Sequence, residues 1–107
     1  MQLSRLAKVV RSKNAGPYLV TFDIIFSDAA TLERVRRSEA ITRESVAARY
    51  GIEPDAVIDF AYYPFARAVK FSIRRPQPSG ARFDTDVYGA QQHAPLLDLD
   101  IGLDSND

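Results

Sequence analysis

The run Tyr18-Leu19-Val20-Thr21-Phe22-Asp23-Ile24-Ile25-Phe26 constrains this fold most. Successive side chains of an extended chain point to opposite faces. Tyr18, Val20, Phe22, Ile24 and Phe26 therefore share one face, while Leu19, Thr21, Asp23 and Ile25 share the other. Both faces are partly apolar, which predicts a central strand. Asp23 is the exception. Its carboxylate would be costly to bury alone, so it is expected to meet solvent or to pair with an arginine.

Helical signals lie on both sides of this strand. Leu3, Leu6, Ala7 and Val10 fall at helical spacing with Arg5, Lys8 and Arg11 between them. That pattern predicts an N-terminal helix ended by the turn Asn14-Ala15-Gly16-Pro17. After the strand, Ser27 and Asp28 are N-cap types, and Leu32 and Val35 supply a buried stripe to about Ser38. Thr42 opens a further helix with Val46, Ala47 and Tyr50 inward and Gly51 as its C′ residue. Arg34, Arg36, Arg37, Arg43 and Arg49 decorate this pair, as a solvated basic face or as a surface for an acidic partner.

Ile52-Glu53-Pro54-Asp55 reads as a turn. Ala56 to Tyr62 and Ala66 to Arg75 read as two strands joined around Tyr63-Pro64-Phe65, the second with Val69, Phe71 and Ile73 alternating with Lys70, Ser72 and Arg74. The segment from Arg75 to Gly80 is a loop by composition. Leu97, Leu99 and Ile101 alternate with Asp98 and Asp100, which predicts a last short edge strand before an acidic tail, residues 102–107. This order of elements is α+β: one domain over residues 1–107, with an ordered core from about 3 to 101 and a mixed or antiparallel sheet carrying helices on one face.

Composition narrows the function. A length of 107 residues suffices for one hydrophobic core and not for two. Fourteen basic residues balance fourteen acidic ones, so the surplus of positive charge that supports nucleic-acid binding is missing. The absence of cysteine removes disulfides, thiolate metal sites and thiol nucleophiles. No apolar run approaches the roughly 18 to 20 residues of a membrane span, so the expected location is the cytoplasm. No serine-hydrolase, flavin, nicotinamide or pyridoxal signature occurs, and no cofactor or resident metal is expected.

Two polar segments carry what chemistry there is. In the first, Arg11, Ser12, Lys13 and Asn14 lead into Gly16-Pro17 at the start of the central strand. Its two cations and its turn N–H groups suit a carboxylate or phosphate, although the glycine spacing of a phosphate loop is absent. A tight turn with Asn14 and Gly16 in left-handed conformations explains the same residues. The second segment runs from Asp84 to Pro95 and holds the only histidine, His93, with Asp84 and Asp86 upstream and Tyr88, Gln91 and Gln92 as non-titrating partners. His93 and Asp86 are the candidates for proton transfer; the alternatives are a structural or interface histidine and, on a weak signal, a ligand of a divalent metal.

The stretches from Ala7 to Tyr18 and from Asp84 to Leu97, with Thr21-Phe22-Asp23-Ile24-Ile25-Phe26 between them, resemble a small bacterial family of unknown function. Its members look like stand-alone forms of a domain found beside, or fused to, the acyclic terpene utilisation protein A (AtuA-like) family. The likeness runs from about Leu3 to Ile101. It implies an accessory subunit of an AtuA-like large protein in organic-acid or acyl-CoA catabolism, helping to form a carboxylate or CoA-thioester site. The candidate ligand contacts are Arg11, Ser12, Lys13, Asn14, Gly16, Tyr88, Gln91 and Gln92, and the resemblance adds Asp23, Asp86 and His93 as matching positions. An exposed aromatic patch involving Tyr62, Tyr63 or Phe65 is expected at the subunit interface. Two alternatives stay open. One is a lyase or hydratase, or half of one, in which Lys13 and Arg11 bind the anion and His93 or Asp86 moves the proton. The other is a small-molecule-binding homo-oligomer without chemistry.

Overall fold

The computed structural model describes residues 1–74, 94–97 and 99–102. The chain runs through α1 (Leu3–Leu6), β1 (Ala7–Asn14), β2 (Leu19–Phe26), α2 (Ala29–Ser38), α3 (Arg43–Tyr50), β3 (Val57–Tyr63), β4 (Ala68–Arg74) and α4 (Ala94–Leu97). Short 3-10 turns at Pro54–Ala56 and Pro64–Ala66 precede β3 and β4. The four strands form one antiparallel sheet in the order β1-β2-β4-β3. The fold is α+β, as expected, and β2 is the central strand that its two-sided apolar pattern predicts. Among the described residues, no helix is long and apolar enough to cross a membrane.

Register makes the core. Val20 lies opposite Ile73, Phe22 opposite Phe71 and Ile24 opposite Val69, so the buried face of β2 continues directly into β4. Three rings then bridge the strands. Phe22 stacks on Phe71 at 4.8 Å, Phe71 stacks on Phe60 of β3 at 5.7 Å, and Tyr50 of α3 meets Phe22 edge-on at 5.7 Å. Leu32 and Val35 of α2, Ile41, and Val46 and Ala47 of α3 close over this face and are almost wholly buried. Each such large side chain contributes about 1.5–3 kcal/mol by leaving water.

Both long helices end where their polar residues dictate. The Asp28 carboxylate accepts from the Thr31 N–H at 2.7 Å, which satisfies a donor left free in the first turn of α2. Thr42 and Ser45 form a reciprocal capping box on α3, with serine in the place usually held by glutamate. Gly51 ends α3 in the left-handed conformation, φ 66°, and its N–H reaches the Ala47 and Ala48 carbonyls.

Two expectations are corrected. The N-terminal helix is a single turn, and from Ala7 the chain is extended, with Val9 paired to Ile25 and each residue to Asn14 paired in turn with β2. One isolated turn of helix gains few backbone bonds for its ordering cost, whereas a strand beside β2 gains a ladder and suits the branched Val9 and Val10. The second correction concerns the C-terminal strand. Residues Ala94–Leu97 form a helical turn that buries Leu96, and Leu99 and Ile101 bond to the N-terminal segment instead of the main sheet. The Leu3 N–H donates to the Leu99 carbonyl at 2.8 Å, and the Ile101 N–H to the Met1 carbonyl at 3.0 Å. The loop expected from Arg75 to Gly80 lies outside the described residues.

Candidate functional site

The face of the sheet opposite the core carries no helix among the described residues. Because side chains alternate, it collects the other half of each strand. Arg11, Asp23 and Lys70 stand in one row across β1, β2 and β4, and Lys13, Thr21 and Ser72 stand in the next. Arg11, Ser12, Lys13, Thr21 and Asp23 line a depression of about 300 Å³ on it.

Asp23 organises this surface. Its carboxylate accepts from Arg11 Nε at 2.9 Å and lies 3.9 Å from Lys70 Nζ. The Asp23 side chain keeps 23% of its exposure, and Arg11 keeps 61%. An anion in an apolar strand is thereby held between two cations at the water boundary, which meets the expectation of an arginine partner. Lys70 Nζ also sits 5.8 Å above the Tyr63 ring. Thr21 Oγ1 reaches toward the Lys13 carbonyl at 3.5 Å.

Tyr63 ends β3 and is 44% exposed; Phe65, in the following 3-10 turn, is wholly exposed. Tyr62 faces the other way. Its hydroxyl donates to the Ile41 carbonyl at 2.7 Å, and burial pushes its phenol up to about 12. A second cleft, of about 340 Å³, lies on that side, with Ile41, Phe60 and Tyr62 toward its base and Arg36, Arg43 and Glu44 around it.

The helical arginines are largely engaged within the chain. Arg36 and Arg37 both bind Glu33, and the Arg36 hydrogen bond holds the Glu33 carboxyl down at about 2. Arg49 Nε donates to the Pro95 carbonyl at 2.6 Å, which ties α3 to α4.

Of the residues singled out in the sequence, Arg11, Ser12 and Lys13 come together at the depression. Asn14 ends β1 opposite Val20, and Gly16, at φ 115°, occupies the hairpin turn; neither lines the depression. The candidates Asp84, Asp86, Tyr88, Gln91, Gln92 and His93 lie outside the described residues. Lys70 was not a candidate from sequence, and its polar parity with Ser72 and Arg74 was the available signal. That parity gives a face but no register, so it could not pair Lys70 with Asp23.

Residues 3–100 match the model of a family described as Domain of unknown function (DUF4387). The chain belongs to this family. No curated protein and no solved structure matches it. The DUF4387 match spans all four strands and both long helices, so Arg11, Lys13, Asp23 and Lys70 lie inside the family domain.

Proposed function

We propose that this DUF4387 protein is the accessory small subunit of an AtuA-like large protein in cytoplasmic organic-acid or acyl-CoA catabolism. The sheet face that no described helix covers meets the large protein and supplies part of a carboxylate or thioester site. One observation carries the reading: a wholly exposed Phe65 and a half-exposed Tyr63 follow directly from the strand beside the Arg11, Asp23 and Lys70 row. Exposed aromatics at the Lys70 end of a charged row have the composition of an interface centre with a polar rim. The size of the depression supports the same reading. At about 300 Å³ it stands at the lower end of small-molecule sites, so a bulky thioester would need a second surface to enclose it.

The test is co-purification with the AtuA-like protein encoded nearest to this chain, followed by mass determination of the complex. A stoichiometric complex that Phe65→Ala weakens agrees with the proposal. A monomer indifferent to the large protein, or a complex indifferent to both Phe65→Ala and Tyr63→Ala, removes it.

A further inference from the structure

We infer that Arg11 and Lys13 form a two-point clamp for the carboxylate of a small organic acid, and that Asp23, backed by Lys70, is its positioning residue. This deepens the reading of the outer face as part of an acid site and rests on it. Arg11 and Lys13 are two apart on β1, on one face and about 7 Å apart along the strand. Arg11 spends its Nε–H on Asp23 at 2.9 Å. A guanidinium is a rigid planar fork, so fixing the Nε edge fixes the direction of the Nη1 and Nη2 edge. Among the described residues nothing accepts from that edge, nor from Lys13 Nζ.

Charge agrees with geometry. Among the described residues, the cations Arg11, Lys13 and Lys70 share this part of the face with the Asp23 carboxylate, and Lys70 is held between Asp23 and the Tyr63 ring. Arg74 adds positive charge at the end of β4, opposite Leu19. The surplus therefore lies at Arg11 and Lys13, which border the depression. A planar carboxylate matches the end-on Nη pair of a held arginine, while Lys13 supplies a mobile point charge beside it. Thr21, across from Lys13, brings a hydroxyl to the same wall.

The inference separates positioning from bulk charge because the two predict opposite signs for one substitution. Asp23→Asn removes a negative charge, so simple attraction would tighten anion binding. Loss of the held guanidinium would weaken it. The experiment is a titration of the full chain, without the large protein, using succinate at a constant ionic strength of about 0.15 M. Arginine side-chain and backbone NMR signals provide the readout, with inorganic phosphate and chloride as controls. Saturable shifts at Arg11 and Lys13 with succinate are expected, weakened roughly fivefold or more by Asp23→Asn and also by Arg11→Lys. Arg11→Lys keeps the charge and the strand, so it decides the matter if Asp23→Asn does not fold. Equal or tighter binding in either variant, or equal shifts with chloride or phosphate, overturns the clamp. The large protein is absent throughout, so failure here leaves the complex to its own test, and a missing complex leaves this site standing.

Discussion

The two faces of this sheet come from alternate residues of the same strands, yet they do different work. On the core face Val20, Phe22, Ile24 and Phe26 of β2 meet Val69, Phe71 and Ile73 of β4, and α2 and α3 exclude water from all of them. One residue away, Thr21 and Asp23 meet Ser72 and Lys70 on a surface that no described helix covers. Stability is concentrated on the first face because apolar area removed from water scales with side-chain size there. On the second face the ion pairs lie at the water boundary, where they set direction more than they add stability. The sheet thus isolates a polar site from the packing that holds it rigid.

The sharpest way to break this division is to compare neighbours on β2. Phe22→Ala should cost about 3–5 kcal/mol, because it removes the ring between Phe71 and Tyr50 and leaves a cavity. Thr21→Ala should stay within about 0.5 kcal/mol. Urea denaturation of both variants gives the answer, and similar costs would abolish the distinction between the faces.

A smaller effect concerns the helices that make one face a core. Thr42→Ala removes the hydroxyl that accepts from Ser45 N–H at 3.0 Å and should cost about 1 kcal/mol in the same assay. The carboxylate response of the outer face should survive it. If that response disappears while the protein remains folded, the faces are coupled and not independent.

Arg11→Ala sharpens the comparison from the other side. It should lower stability by less than about 1 kcal/mol, since its pair with Asp23 is largely solvated. The same variant should lose the succinate-induced shift at Lys13. A stability loss approaching that of Phe22→Ala would make Arg11 a structural residue.

The smallest effect tests the solvated helix surface. Arg36 holds the Glu33 carboxyl at about 2 in the folded chain, below its ordinary 4.5. A depressed folded-state value means that the pair stabilises above about 4.5 and loses this contribution as pH falls toward 2. The difference in Tm between the native chain and Glu33→Gln should accordingly be largest near neutral pH and vanish near pH 2. A difference that persists undiminished in acid would assign the effect to packing.

Legibility in the sequence followed the range of the interactions involved. The helix caps at Asp28 and Thr42, the Gly51 terminus and the buried stripe of Leu32, Val35, Val46 and Ala47 are local, and each stands where the residues indicate. The segment from Leu3 to Val10 misled because Leu3, Leu6, Ala7 and Val10 fall at helical spacing although the helix ends at Leu6. Pairing with β2, which no residue of that segment encodes, made the rest a strand. At the other end, Leu97 fits the alternation of a strand, but the helical turn Ala94–Leu97 buries Leu96 in its place.

The sequence by itself determined the α+β class, the central position of β2 and the division of its residues between an apolar and a mixed face. These follow from side-chain period and capping chemistry, which act over a few residues. Only the tertiary structure decided that Arg11, Asp23 and Lys70 form one row. Asp23 is 12 positions from Arg11, and antiparallel register joins them to Lys70 on β4. A slip of one residue in either pairing would send one of those side chains to the core face. Register is a property of paired strands, and so, therefore, is this site.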